Sequence, residues 1–171
     1  IPGFNIVEAL RSCADLFERF GGHAAAAGMT LATANLPELT RRLPAYAQAH
    51  ITPEMLIPEL RIDASVALDE LSLAALDELN LLAPFGQANP QPLLHARNLR
   101  VLDLRTVGDG SHLKLRLQQN RTILSAIGFG FGHLASSLVR GTAVDVVFSA
   151  EINVWRDQRS PELRIVDIRP T

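Results

Sequence analysis

Hydrophobic and polar residues alternate along most of the chain from residue 93 to the end. Leucines at positions 113, 115 and 117 are interleaved with polar side chains, and a longer run of the same kind extends from Val144 to Val154. A period of two is typical of strands with one buried face. The alternation slips at Val101-Leu102 and again at Ile165-Val166, which predicts a bulge or a sharp bend at each place.

The same region contains turn signals that divide it into five strands. Val107–Gly110 and Gln119-Asn120 separate the first three strands, His133–Val139 predicts a short helix, and Trp155–Pro161 predicts a polar hairpin loop. Five strands with a helix between the third and the fourth follow the order of an OB-fold, a small barrel used largely for single-stranded nucleic acids and oligosaccharides.

The beginning of the chain has a helical period instead. Asn5 is a candidate N-cap for a helix that ends at Gly21-Gly22, and its apolar face comprises Ile6, Leu10, Cys13 and Phe17. Four alanines at 24–27 predict a second helix with Gly28 as its C-terminal cap, followed by a short strand at Met29–Thr33. Asn35 begins a further helix, which Pro44 is expected to kink or end.

A change of pattern at residues 50–58 indicates a linker. Alternation from Glu59 to Leu68 predicts a half-buried strand, Ser72 caps a helix, and the segment Pro84–Pro92 is a rigid, turn-rich elbow. We therefore predict an α+β chain: a helical and mixed segment at 1–49, a linking strand and helix at 50–92, and the barrel at 93–171.

Composition narrows the functional classes. The 171 residues are 47% hydrophobic, which excludes a disordered chain, and no apolar run is long enough to cross a bilayer. A single cysteine cannot form an internal disulfide, so a reducing cytoplasm is the expected location. The chain begins with isoleucine inside a predicted turn, and we expect a larger N-terminal portion in the intact protein.

Charge is distributed unevenly along the chain. The net charge is −2, yet residues 91–171 carry eleven basic groups against seven acids. Fifteen of the sixteen basic residues are arginine, which binds phosphate in a bidentate manner and stacks on bases better than lysine. The barrel is therefore the candidate surface for a polyanion.

Gly21, Gly22 and His23 form one candidate site. Two glycines before a predicted helix would allow a phosphate to approach the backbone at a helix N-terminus, with His23 as an additional donor. The alternative is that the glycines only end the preceding helix and that His23 is half-buried and bonded to a backbone carbonyl.

The barrel offers a second set of candidates. A single-strand groove needs positive charge and aromatic faces, and the residues that could supply them are Lys114, Arg116, Phe129, Phe131, Trp155 and Arg156. The alternatives are that the two phenylalanines belong to the core, that Trp155 only covers one end of the barrel, and that Arg156 is part of a solvated loop tip.

Catalytic signatures do not occur in the sequence. The five histidines are far apart, none belongs to an Asp-His-His triplet or a His-x-x-x-His pair, and no Gly-x-Ser-x-Gly motif is present. We predict no metal site in this segment and no hydrolysis by this segment alone.

The stretch Phe20–Gly28 resembles the Gly-Gly-Gly-His signature of the DHHA1 domain, with Phe20 in place of the first glycine. Together with Leu81–Gly86 and Asn89-Pro90 it is similar to the RecJ family of single-strand-specific exonucleases in the DHH phosphoesterase superfamily. Family members typically have Pro-Phe-Gly-x-Gly-Asn-Pro-Glu-Pro at the elbow, from which Ala88 and Gln91 depart.

This resemblance implies the substrate-binding portion of a 5′ to 3′ exonuclease of DNA repair and recombination, whose Mn²⁺ or Mg²⁺ is held by a DHH domain absent from this chain. It implies that Gly21 and Gly22 hold a DNA phosphate and that His23 stabilises charge at the scissile phosphate. The expected partner is single-stranded DNA, with single-strand-binding protein or other repair proteins as further partners and no membrane.

Two other functions remain open at this point. One is a non-catalytic OB-fold module that binds single-stranded DNA or another protein. The other is a DHHA1 phosphoesterase for short oligonucleotides, against which the barrel argues because relatives of that kind mostly lack it.

Overall fold

A computed structural model describes all residues, 1–171, and divides them into two compact units, residues 1–60 and residues 61–171. Each unit is described by itself below. No helix in either unit has both the length and the apolar character needed to cross a membrane.

The first unit combines two helices with a two-stranded hairpin. Its elements are α1 (Ile6–Arg11), β1 (Phe17–His23), β2 (Ala26–Leu31) and α2 (Leu36–His50), with short 3-10 turns between them. The predicted cap is confirmed, because the Asn5 side chain accepts hydrogen bonds from the backbone N–H groups of Val7 and Glu8. Burial of Cys13 in the small core beside Leu10 is confirmed as well.

The glycine-rich stretch folds differently from the prediction. The helix before it ends at Arg11, and Gly21, Gly22 and His23 pair with Gly28, Ala27 and Ala26 in an antiparallel hairpin. The prediction of a helix through the four alanines is therefore wrong, because a run this short cannot offset the cost of helix nucleation. Residues 24 and 25 form the turn instead, and the Ala24 carbonyl accepts a hydrogen bond of 3.0 Å from the N–H of Ile6.

Helix α2 continues through Pro44 to His50. Of the two expected effects of this proline, a kink or an end, the end is wrong, and contacts of the second half explain why the helix persists. Tyr46 stacks on His50 with ring centroids 3.9 Å apart, and Phe4 meets the Tyr46 ring in a T-shaped arrangement at 6.3 Å. These packing interactions compensate for the hydrogen bond that Pro44 cannot donate.

The second unit begins with an extended segment and a short helix. Only Ala64–Ser65 forms a strand, β3, so the prediction of a strand from Glu59 to Leu68 is wrong for most of its length. Helix α3 (Leu73–Leu79) starts at Ser72, whose hydroxyl accepts a hydrogen bond from the Ala75 N–H, as the sequence predicts. The elbow is a tight turn closed by two backbone hydrogen bonds between Gly86 and Asn89.

Five strands then close into a barrel. They are β4 (Leu94–Val107), β5 (His112–Gln119), β6 (Thr122–Gly128), β7 (Ala143–Trp155) and β8 (Gln158–Pro170). Their order is β4-β5-β6-β8-β7, the pairing of β7 with β4 completes the barrel, and β6 and β8 run parallel. A 3-10 helix at Gly132–Ser136 lies between the third and fourth strands, so the α+β class with an OB-type barrel is confirmed.

The two slips in the hydrophobic pattern are bulges, as predicted. On β4, the register with β5 changes by one residue between Val101 and Asp103. On β8, Val166 has no partner, because Val147 pairs with Asp167 and Phe148 pairs with Ile165. Both bulges keep apolar side chains directed inward, where the largest fully buried residue is Phe148. The loop predicted at Trp155–Pro161 is wrong in length, because β8 already begins at Gln158.

Candidate nucleic-acid interface

The outer face of β5 carries the polar side chains predicted from the alternation. Leu113, Leu115 and Leu117 are fully buried, whereas the residues between them lie on the solvent side. Arg116 pairs with Asp103 of β4 on one side and with Ser125 of β6 on the other. Ser125 pairs in turn with Glu162 of β8. The face therefore extends across four neighbouring strands.

Lys114 and Arg116 differ in how much of their charge is available. The Lys114 ammonium donates to the Glu162 carboxylate at 2.5 Å, and both side chains are mostly buried. Arg116 is exposed and has no carboxylate within 4.0 Å. A shallow cleft of about 250 Å³ lies between these two side chains and Arg105, which also has no ion-pair partner. An incoming anion would therefore meet Arg116 and Arg105 as the unpaired cations of this cleft.

Phe129 lies at one end of this face and is exposed over 52% of its surface. The Arg164 guanidinium is positioned over its ring at 5.2 Å from the centroid, and the His112 ring meets it edge-on at 5.1 Å. The N–H of Gly130 donates to His112 Nδ1 at 3.2 Å, which fixes the loop that carries Phe129. A core position for Phe129 is thus excluded, whereas Phe131 packs against the buried cluster.

Trp155 lies at the other end, at the tip of the hairpin between β7 and β8. It is 69% exposed and pairs with Gln158 across a two-residue turn of Arg156 and Asp157, both in the left-handed region. The Arg156 guanidinium is 5.8 Å from the Trp155 ring centroid. Trp155 is therefore largely exposed to solvent at the tip of this hairpin, with Arg156 beside its ring.

Register gives the spacing between the two aromatic ends. Gln158, Ser160, Glu162 and Arg164 share one side of β8, and six residues of strand correspond to roughly 20 Å. The ends with Trp155 and Phe129 thus bracket a face that contains Arg116 and Lys114. Arg105 and Arg164 were not predicted from the sequence. Arg105 faces Lys114 across the β4–β5 hairpin, and Arg164 joins this face because β8 pairs with β6.

The hairpin of the first unit holds the other predicted site. Arg19, Gly21 and His23 lie on one side of β1, opposite Thr30, Gly28 and Ala26. The Gly21–Gly28 pair leaves a shallow depression of about 200 Å³ next to Arg19, whose Nε donates to Thr30 Oγ1 at 3.1 Å. The predicted helix N-terminus is absent here, and the site is instead a flat, exposed patch of backbone between a guanidinium and an imidazole.

Gly22 is required by the hairpin. Its φ is +145°, and a Cβ at this position would lie 2.4 Å from the carbonyl oxygen of Ala26. Gly21 has open space where a Cβ would project, so its absence of a side chain keeps the depression open instead of relieving a clash.

Metal-ligating side chains do not gather anywhere in the structure: no group of three or more His, Cys, Asp or Glu residues is placed to hold a metal ion.

Comparison with known proteins adds to this geometry. The single-stranded-DNA-specific exonuclease RecJ of Bacillus subtilis is 34% identical over 168 residues, which are 98% of this chain and 21% of that protein. RecJ of Thermus thermophilus is 32% identical over 95% of this chain and 23% of its own length. The chain thus spans about a fifth to a quarter of these relatives.

A solved structure leads to the same family. The crystal structure of RecJ in complex with Mg²⁺ from Thermus thermophilus superposes with a TM-score of 0.82 at 31% identity, covering 99% of this chain and 26% of that one. A family model described as the RecJ OB domain matches residues 62–167. The chain therefore belongs to the RecJ family and contains its OB domain.

Proposed function

We propose that the barrel binds single-stranded DNA along the outer face of β5, β6 and β8. The observation that carries this proposal is the exposure of Phe129 and Trp155 at the two ends of a face whose centre holds Lys114 and Arg116. Exposed rings stack on bases without regard to sequence, and arginines contact the phosphates between them. Arg156 and Arg164 lie near the two rings, where they add cationic contacts.

The intact protein, by this proposal, is a 5′ to 3′ single-stranded-DNA-specific exonuclease acting in DNA repair and recombination. The names of the relatives support the substrate, and this chain supplies part of its binding surface. RecJ of Thermus thermophilus has been crystallised with Mg²⁺ and with Mn²⁺. The residues of this chain offer no metal site, so the metal and its ligands are assigned to a DHH domain elsewhere in the protein.

For the hairpin we propose contact with a DNA phosphate near the reacting bond. Gly21 keeps the backbone accessible, and Arg19 and His23 flank it on the same side. His23 would donate to a phosphate oxygen and stabilise negative charge there. Single-strand-binding protein and other repair proteins are proposed as additional partners.

Binding by the 171-residue chain tests the barrel proposal. A fluorescent single-stranded oligonucleotide and its duplex are titrated at two salt concentrations, with Lys114→Ala/Arg116→Ala and His23→Ala as variants. We expect salt-sensitive binding confined to the single strand, weakened about tenfold by the barrel pair and little by His23→Ala.

The absence of binding at low salt would overturn the proposal and favour a protein-interaction module. Equal binding of single strand and duplex would contradict the role of the exposed rings. A loss caused by His23→Ala alone would move the principal contact from the barrel to the hairpin.

A further inference from the structure

A second cleft in the barrel unit lies on strand β4, around the bulge at Arg97-Asn98. Its volume is about 580 Å³, and it is lined by Arg97, Asn98, Arg100, Gln118 and Asn120, with Gly141 and neighbouring backbone at its edge. The lining contains no aromatic side chain and no carboxylate. It is therefore chemically different from the aromatic ends of the proposed strand-binding face.

The bulge is what brings the two arginines together. In a regular strand, residues three apart point to opposite faces. Ala96 pairs with Val146 of β7, and Leu99 pairs with Val144. Two residues of β4, Arg97 and Asn98, therefore lie opposite a single residue of β7, Asp145. Ala96 and Leu99 stay buried, and both Arg97 and Arg100 are exposed.

The bulge is held in place by specific contacts. Asn98 adopts a φ of 53°, and its N–H donates to the Asp145 carboxylate at 2.8 Å. The Gln119 side chain donates to the Arg97 carbonyl at 2.9 Å and accepts from the Leu68 N–H at 2.8 Å. The backbone below the cleft is thus fixed before any ligand arrives.

Neither guanidinium is neutralised. No carboxylate lies within 4.0 Å of Arg97 or Arg100, whereas nine other basic side chains form ion pairs, including His95. A Cβ on Gly141 would come within 3.9 Å of Arg100 Nη2, so the guanidinium lies beside a residue that has no side chain. Guanidinium and carboxamide groups without an apolar anchor suit phosphate oxygens more than a peptide or a base.

The cleft continues the strand-binding face. Arg100 pairs with Gln118, and Gln118 lies two residues along β5 from Arg116 on the same side. We propose that this cleft binds the sugar-phosphate backbone of the DNA strand beyond the stretch whose bases stack on the barrel. This inference rests on the proposed function of that neighbouring face.

The test compares two lengths of oligothymidine on the 171-residue chain. A short strand of about six nucleotides occupies the aromatic face alone, and a long one of about twenty reaches the cleft. Arg97→Ala/Arg100→Ala should lower the affinity for the long strand about tenfold and leave the affinity for the short strand unchanged. The slope of log affinity against log salt concentration for the long strand should fall in magnitude by about 1.4, since each single-strand phosphate contact contributes roughly 0.7. The matched control is Arg11→Ala/Arg169→Ala, which removes two arginines that are already paired with acids.

Two further reagents separate the sources of binding. Arg97→Lys/Arg100→Lys keeps both charges and should retain most of the salt slope, and it also serves if the alanine pair fails to fold. An abasic oligonucleotide of the long length should compete for the cleft in the parent chain, because only the backbone is recognised there.

The inference is overturned if the alanine pair behaves like its control while Lys114→Ala/Arg116→Ala still weakens binding. Equal losses at both lengths would also overturn it, since the cleft would then belong to the primary face. Failure of the barrel pair to affect either length contradicts the proposed function instead, so the two failures are distinguishable.

Discussion

The two units of this chain hold their proposed functional residues in different ways. In the barrel unit, nineteen buried hydrophobic residues form one core, and Lys114, Arg116 and Arg164 are placed by strands anchored in it. In residues 1–60 the buried hydrophobic residues are only Ala9, Leu10, Cys13 and Leu39. Its hairpin leaves Gly21, Gly22 and His23 exposed.

This difference illustrates two ways of building the proposed anion-binding surfaces. The barrel presents long side chains from a rigid sheet, and its affinity is expected to come from charge and stacking. The hairpin presents backbone, and its shape depends on one glycine with an unusual φ and another whose missing side chain leaves a depression. The barrel should therefore tolerate changes at its surface, whereas the hairpin should tolerate a side chain at Gly21 but not at Gly22.

The largest expected effect is on the barrel core. Phe148→Ala removes a fully buried ring and should cost roughly 3–5 kcal/mol of unfolding free energy. Hydrogen exchange detected by mass spectrometry measures this loss of stability, separately for residues 61–171 and for residues 1–60. Faster exchange only in the barrel unit would show that the two units are stabilised separately, and equal acceleration in both would contradict that separation.

The two glycines of the hairpin provide the next comparison. Gly22→Ala should destabilise residues 1–60 by about 2 kcal/mol, because it combines a positive φ with a clash against the Ala26 carbonyl. Gly21→Ala is the matched control, and it should be neutral or stabilising by up to about 1 kcal/mol since its Cβ meets open space. Hydrogen exchange measured over residues 1–60 follows the stability of this unit. Similar losses from both variants would contradict the assigned roles.

Stacking on the barrel is expected to have a smaller effect. Phe129→Ala and Trp155→Ala should each lower the affinity for single-stranded DNA about tenfold, within the ~1–3 kcal/mol that base stacking contributes. Binding of an abasic strand should change little in either variant. Phe129→Leu, which keeps an apolar side chain but removes the ring, serves as the control and should lose nearly as much as the alanine variant. Unchanged affinity in Phe129→Ala and Trp155→Ala would remove the rings from the binding surface.

The smallest effect concerns acid stability of the first unit. A hydrogen bond from the Arg42 side chain lowers the pKa of Asp15. The ionised carboxylate therefore stabilises the fold above about pH 4, and this contribution is lost as the pH falls through the lowered pKa. Asp15→Asn should slightly lower the melting temperature at pH 6, and the melting temperature of the variant should fall less than that of the parent chain on acidification. Well below about pH 3 the two proteins should melt at nearly the same temperature. A steeper acid dependence in the variant would contradict this assignment.

Local signals were strong enough to predict much of the barrel. Alternation located β5 and β7, and Ser72 marked the start of α3. The two slips located the bulges at Val101–Asp103 and at Val166, but not the one at Arg97-Asn98. These features depend on which side of a single strand or helix is buried, and that information lies within a few neighbouring residues. The motif at Phe20–Gly28 likewise indicated the family before any fold was known.

The conformation of that motif, in contrast, could not be predicted from neighbouring residues. Alanine favours helices by a fraction of a kcal/mol per residue, and four alanines are too few for this preference to prevail. Pairing of β1 with β2 and the φ of Gly22 made the stretch a hairpin. The short length of β3 has a similar origin, because only two of its residues meet a partner on β4.

The sequence by itself determined the α+β class, the succession of strands from β4 to β8, and the family. Tertiary structure alone decided which charges are available: Lys114 is paired with a glutamate 48 positions away, whereas Arg97 and Arg100 share a cleft because a bulge turns both outward. The physical reason is the distance along the chain between the residues that interact. Burial patterns repeat every two to four residues and can be read locally, but ion pairs and the pairing of β4 with β7 around Arg97-Asn98 depend on strands that meet only after the barrel has closed.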